Sequence, residues 1–289
     1  MTDNRPLLGI AFFVSANFLT AAVNAVSKYL TDEMHGLQVA WGYFVAMAVF
    51  VIGYAAVRRM TPGAIMNTRR IGLQLLRAGL LVLTLWALFV GLAFIPLGDA
   101  TAIVFAAPLI VTALSGPLLG ERVGLHRWSA VLVGLLGTFV VIRPGSGIAH
   151  WAVLLPLASA VAFAFFQIAT RKLASTENTF VTLFYTSAGA ALLSSALVVF
   201  VWTPVDLRQA AILFGAGALG AAAHFCTIRA FAVAQASFLA PFNYVRLVWA
   251  IVLGYLIFHE VPAANVWIGS LIVVGSGLYV LMRERRLAG

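Results

Sequence analysis

Long apolar runs leave this chain few ways to fold. From Pro6 onward the sequence alternates apolar stretches with short polar breaks. A helix of roughly 20 such residues is what a hydrocarbon core about 30 Å thick requires. The pattern predicts spans at about 6–29, 36–57, 70–95, 99–119, 127–143, 151–172, 178–202, 208–232, 235–258 and 262–282. Each break has a local cause. Thr31–Asp32–Glu33 is polar, and Arg58 to Arg70 is basic and contains Pro62–Gly63. Pro96–Leu97–Gly98–Asp99 makes a tight turn, and Arg143–Pro144–Gly145–Ser146–Gly147 cannot continue a helix. Thr203–Pro204–Val205–Asp206 closes the seventh span, and Val233–Ala234–Gln235 is the weakest break.

Composition excludes the soluble alternative. The chain is 63% hydrophobic and 9% charged, against about 25% charged in soluble domains. Its net charge of +9 would suit a nucleic-acid binder if the basic residues lined one surface, but they sit in the breaks. With a cytoplasmic N-terminus, one side holds Arg5, Arg58, Arg59, Arg69, Arg70, Arg122, Arg127, Arg171, Lys172, Arg229, Arg283, Arg285 and Arg286, and the other Lys28, Arg143 and Arg208. That asymmetry places both termini in the cytoplasm, in a multi-pass protein of the cell (inner) membrane. The expected partners are the lipid bilayer and a small-molecule substrate, with no nucleic acid. No cleaved signal peptide is evident, because the first apolar stretch is too long for a signal core. The single cysteine, Cys226, forms no internal disulfide and reads as a small buried hydrophobe.

The chain also repeats itself. Gly120–Glu121–Arg122 is followed by Trp128, and His259–Glu260–Val261 by Trp267. Ala93–Phe94 and Ala230–Phe231 precede the two runs at nearly equal distance. The expected units are residues 1–146 and 147–289, five spans each, and an odd number inserts the second unit upside down relative to the first. The expected fold is all-α and integral to the membrane, with ten helices in two inverted five-helix repeats. Such repeats give a carrier two gates related by pseudo-symmetry.

With these features, Gly91–Pro144 (Pro108, Glu121, Trp128) and Ala230–Arg283 (Pro241, Glu260, Trp267) resemble the two halves of an EamA-type member of the drug/metabolite transporter superfamily. His259 stands where that family often has Gly. The resemblance implies a ten-helix carrier, often an exporter of amino acids or other metabolites.

Polar groups inside spans mark the candidate site, because hydrocarbon penalises them. Asn17, Thr20, Asn24 and Ser27 fall on one face of the first span, to line a cavity or bond a neighbouring helix. Arg246 lies mid-span with no carboxylate at its depth in any span, since Asp99, Glu121 and Glu260 fall at span ends. Its partner is therefore a substrate carboxylate, bound bidentately, or backbone carbonyls freed near Pro241. Asn243 and Trp249 share its expected face. His224, Gln167 with Phe163, and Tyr185 are further candidates, and Trp41, Trp86, Phe89 and Tyr244 could form an aromatic wall. Glu121 and Glu260 read as caps on neighbouring helices or partners of loop arginines. Gly134–Gly137 and Gly215–Gly217–Gly220 allow close helix approach.

No motif calls for a cofactor or metal. A Walker-type loop, a His-Glu-x-x-His pattern and a Gly-x-Ser-x-Gly elbow are all absent from the sequence. The expected function is secondary transport, exporting or exchanging amino acids or related small metabolites by alternating access. A membrane-bound enzyme acting on lipid-linked substrates and a broad-specificity drug exporter are the alternatives.

Overall fold

The structure is a computed structural model and describes residues 5–31, 33–92, 103–142, 151, 153–258 and 264–288. Asp99, Arg143, His259 and Glu260 lie outside the described residues, as does the side chain of Phe89. The described residues form α1 (Pro6–Thr31), α2 (Gly36–Val57), the short α3 (Pro62–Met66), α4 (Ile71–Leu92), α5 (Ala107–Leu119), α6 (Leu125–Ile142), α7 (Leu154–Ala174), α8 (Thr179–Val198), α9 (Leu207–Val233), the short α10 (Ala236–Leu239), α11 (Val245–Phe258) and α12 (Ala264–Ala288). No strand occurs among them.

Helix boundaries follow the sequence chemistry. Asn178 and Asp206 cap α8 and α9, the latter through a reciprocal box with Gln209. Gly120 ends α5 at φ 69°, the left-handed geometry that favours glycine. The weak break at 233–235 is real, with Ala234 extended after α9 and Gln235 extended before α10.

Among the described residues, seven helical stretches are long and apolar enough to cross a membrane, α10 to α11 counting as one. Three further apolar helices, Ala107–Leu119, Leu125–Val140 and Trp267–Ser276, are shorter. The surface supports a lipid setting. Leu136, Leu192 and Phe200 are exposed at 61%, 76% and 83%, a pattern that water would punish. Gln38, Gln74, Arg77, Thr112, Ser159 and Thr182 are instead buried.

The helices pair in an ordered way. α1 packs along α9 and α7 along α4, while α2 packs on α9 and α8 on α4. α1 meets α11 and α7 meets α5, while α2 pairs with α8 and α6 with α12. Glycines permit some of these approaches. A Cβ on Gly217 would lie 2.5 Å from Ala46, and one on Gly134 would lie 2.4 Å from the Tyr244 ring. Gly215, by contrast, faces open space.

The span expected at 235–258 is not one regular helix. After α10 the chain runs as a 3-10 helix from Ala240 to Tyr244 before α11 begins. Pro241 has no N–H to donate, which explains the break.

Both ends of the bundle are tied. At one, Glu33 accepts from Arg208 and Gln209. These bonds, Gln209 first, hold its carboxyl below the usual carboxylate range. Gln38 accepts from the Thr203 N–H and hydroxyl at the same end. At the other, Glu121 accepts from the backbone N–H groups of Ala236 and Ser237 at 2.8 and 2.9 Å, and from the Ser237 hydroxyl at 2.7 Å. It also pairs with Arg171 at 3.4 Å. The capping role expected of this glutamate is present, while its arginine partner lies in the last turn of α7 rather than in a loop. Glu121→Ala should cost about 3 kcal/mol, because it leaves Arg171 and two N–H groups without their anion. Thermal unfolding in detergent measures this, and an unchanged midpoint would remove Glu121 from the account of stability.

Candidate functional site

The α7 helix forms one wall, presenting Phe163, Phe166, Gln167 and Thr170 toward the polar groups of other helices. Gln167 and Asn243 are both buried and exchange amide hydrogen bonds at 3.3 and 3.5 Å. The Asn243 amide also donates to the Ala240 carbonyl at 3.3 Å. Asn17 donates to its own helix at Phe13 (2.8 Å) and across to the Phe242 carbonyl (3.4 Å). The 3-10 segment thus supplies carbonyls that an α-helix would have used internally.

Arg246 stands beside this junction. Its guanidinium lies 5.5 Å from the Phe163 ring centroid and 5.8 Å from that of Phe105. It is half-buried, and among the described residues neither a carboxylate nor a carbonyl accepts from it. Two aromatic faces hold the cation by their quadrupoles and leave its N–H groups uncommitted. Trp249, three residues beyond Arg246 on α11, packs edge-on against Phe18 on α1, at 5.0 Å. Its indole nitrogen is buried without a hydrogen-bond partner.

The remaining candidates separate. His224 meets the Phe166 ring edge-on at 5.9 Å. Trp86 is half-buried in the same apolar cluster as Phe163 and Phe166. Tyr244 is fully buried, its hydroxyl donating to the Phe105 carbonyl at 3.3 Å and its ring filling the space that Gly134 leaves; it packs the 3-10 segment against α6. The polar stripe on α1 does not behave as a unit. Asn17 is buried, Thr20 bonds back to Ala16, and Asn24 is exposed. Tyr185 donates to the Met66 carbonyl and Trp41 to Ser195. Cys226 is half-buried rather than buried.

Arg77 is absent from the residues the sequence singles out. It is fully buried on α4, where Nε donates to Thr170 at 2.7 Å and Nη1 to Thr186. Its guanidinium lies 4.4 Å from the Phe166 ring centroid. One turn earlier, buried Gln74 donates to Thr182 at 3.2 Å. The signal that finds Arg77 is a single charge inside the run 71–92.

Comparison with known proteins adds the context. The model of the EamA-like transporter family matches twice, over residues 7–143 and 150–282. An S-adenosylmethionine uptake transporter of Rickettsia prowazekii is 27% identical, covering 97% of this chain and 94% of its own. A riboflavin transporter of Vibrio cholerae is 28% identical over 98% and 96%. A pseudopaline exporter of Pseudomonas aeruginosa is 27% identical over 92% and 93%. A solved crystal structure superposes with a TM-score of 0.79 at 20% identity, covering 98% of each chain, which speaks for the fold alone.

Proposed function

We propose, from the premise that this chain belongs to the EamA-like transporter family, that it is a secondary transporter of amino acids or related metabolites bearing a free carboxylate. The observation that carries this reading is Arg246, a cation held between two aromatic rings with its N–H groups uncommitted. A carboxylate accepts two parallel N–H bonds from such a fork. Phe163, Phe105 and Trp86 offer apolar surface beside it, and His224, Asn17, Gln167 and Asn243 set its polar border. The carriers of S-adenosylmethionine among the relatives support the class, since that metabolite contains an amino-acid group.

The mechanism is alternating access between two five-helix repeats, residues 1–146 and 147–289. The two family matches favour this division. So does the packing, which maps onto itself when α1, α2, α4, α5 and α6 are exchanged with α7, α8, α9, α11 and α12. Ten spans in inverted orientation follow, with both termini cytoplasmic in the inner membrane. Labelling of single cysteines in a Cys226→Ala background should place position 69 inside and position 208 outside. Impermeant reagent reaching position 69 in intact cells would overturn that orientation.

The transport test uses purified protein in liposomes with labelled S-adenosylmethionine and a panel of amino acids. Carboxylate-bearing compounds should exchange and compete with one another. A protein that moves none of them, or that chemically converts a lipid-linked substrate, defeats the proposal. Preference for neutral or cationic drugs would instead favour a broad drug exporter.

A further inference from the structure

We infer that Arg77 is a second anion-binding station, which takes the substrate carboxylate between Arg246 and the membrane face where α4 begins. This rests on the carboxylate reading of Arg246 and extends it.

Position is the first argument. Arg77 is six residues into α4, about 9 Å along the helix axis, whereas Arg246 lies ten residues beyond the start of α10. The two cations are joined by a ladder of rings on one face of α7. Arg246 lies against Phe163, Phe163 stacks on Phe166 with planes 11° apart and centroids at 6.0 Å, and Phe166 carries Arg77 on its face. An anion leaving one guanidinium therefore meets the other along a single wall.

The partners of Arg77 are the second argument. All are neutral. The Thr170 and Thr186 hydroxyls give their own protons to the carbonyls of Phe166 and Thr182, each at 2.6 Å, so only their lone pairs face the guanidinium. Hydroxyl acceptors hold a cation less firmly than a carboxylate does. Meanwhile Nη2 of Arg77 and Oε1 of Gln74 are buried with no partner. A pin between helices would be made at lower cost from neutral residues, since a charge at membrane depth is costly and each unpaired buried polar atom adds to that cost. An anion that arrives when α4 parts from α7 and α8 repays both. The threonines then act as the closed-state placeholder, bridging α4 to α7 and α8.

The test compares S-adenosylmethionine with its decarboxylated analogue, which lacks the carboxylate and keeps the rest. In proteoliposomes, Arg77→Met should lower the maximal rate for S-adenosylmethionine at least tenfold and leave that for the analogue within about twofold. Its KM should shift less than that of Arg246→Ala. Equal loss for both compounds, or loss for neither, makes Arg77 a structural pin and overturns the inference. A readout on wild-type protein removes dependence on how the variant folds. During exchange, saturating S-adenosylmethionine should protect both Arg77 and Arg246 from phenylglyoxal, as read by peptide mass spectrometry, and the analogue should protect neither. Protection of Arg246 alone defeats this inference and spares the transporter reading. A wild type that carries neither compound, nor any amino acid of the panel, defeats both.

Discussion

Arg246→Ala should abolish S-adenosylmethionine and amino-acid uptake in proteoliposomes while leaving a folded protein. Folding is expected to survive because the guanidinium makes ring contacts rather than a buried ion pair, and losing two such contacts costs about 1–2 kcal/mol. Removing a charge from mid-membrane gives part of that back. Transport has no comparable compensation. A carboxylate drawn from water to this depth needs a cation, and among the described residues the guanidiniums beside the Phe163–Phe166 pair of α7 are those of Arg246 and Arg77. Arg246→Lys separates charge from geometry. It keeps the positive charge but loses the planar fork that meets a carboxylate through two parallel N–H bonds, so the rate should fall about tenfold or more rather than persist. Neutral compounds should be affected far less by either change. Wild-type uptake by the Ala variant would make Arg246 a packing residue and leave a general carrier of apolar solutes as the better reading.

Gly217→Leu should clearly lower the unfolding midpoint, while Gly215→Ala, two residues away, should hold or raise it. At Gly217 a Cβ would meet the Ala46 carbonyl carbon and the Met47 nitrogen at 2.6 Å each. These are backbone atoms of α2 and cannot rotate aside, so α2 and α9 must separate along their shared face. Overpacking of this kind costs about 1–3 kcal/mol, which lowers Tm by roughly 4–10 °C. Gly215 has nothing within 4 Å, and alanine there improves helix propensity by about 1 kcal/mol. Thermal unfolding in detergent decides the matter. Equal midpoints for the two variants would show that α2 and α9 do not need this approach. The sequence marks both glycines alike, and the packing alone tells them apart.

That contrast indicates what a sequence of this kind discloses. Most helix positions were legible because a chain in hydrocarbon must satisfy its backbone groups internally, although α3 lies in the segment expected to be loop and the expected span 235–258 divides. Even the weak break at Ala234 is present. Glu121 was legible as a cap because it follows an apolar run at a turn. Arg77 was not singled out, although it is a single charge inside the apolar run 71–92. Its partners Thr170, Thr182 and Thr186 lie about a hundred positions away on two other helices, where single threonines in apolar runs carry no signal. The pairing of Asn243 with Gln167 likewise joins two unremarkable amides. In the stripe from Asn17 to Asn24, spacing alone could not say which residues the neighbouring helices cover: Asn17 is buried and Asn24 exposed.

The 3-10 segment from Ala240 to Tyr244 acts as a fixed screw in the chain. A 3-10 helix advances about 120° and 2.0 Å per residue, against 100° and 1.5 Å for an α-helix. Over these five residues, the stretch after the break is turned about 100° further and set about 2.5 Å further along than continuous winding would place it. Asn243, near the end of this winding, and Arg246, just inside α11, both meet α7, at Gln167 and Phe163. The short turn before the break faces elsewhere, with Ser237 held by Glu121. One stretch of chain therefore carries two orientations: the end fastened at the membrane face and the end carrying the mid-membrane cation are aimed independently of each other.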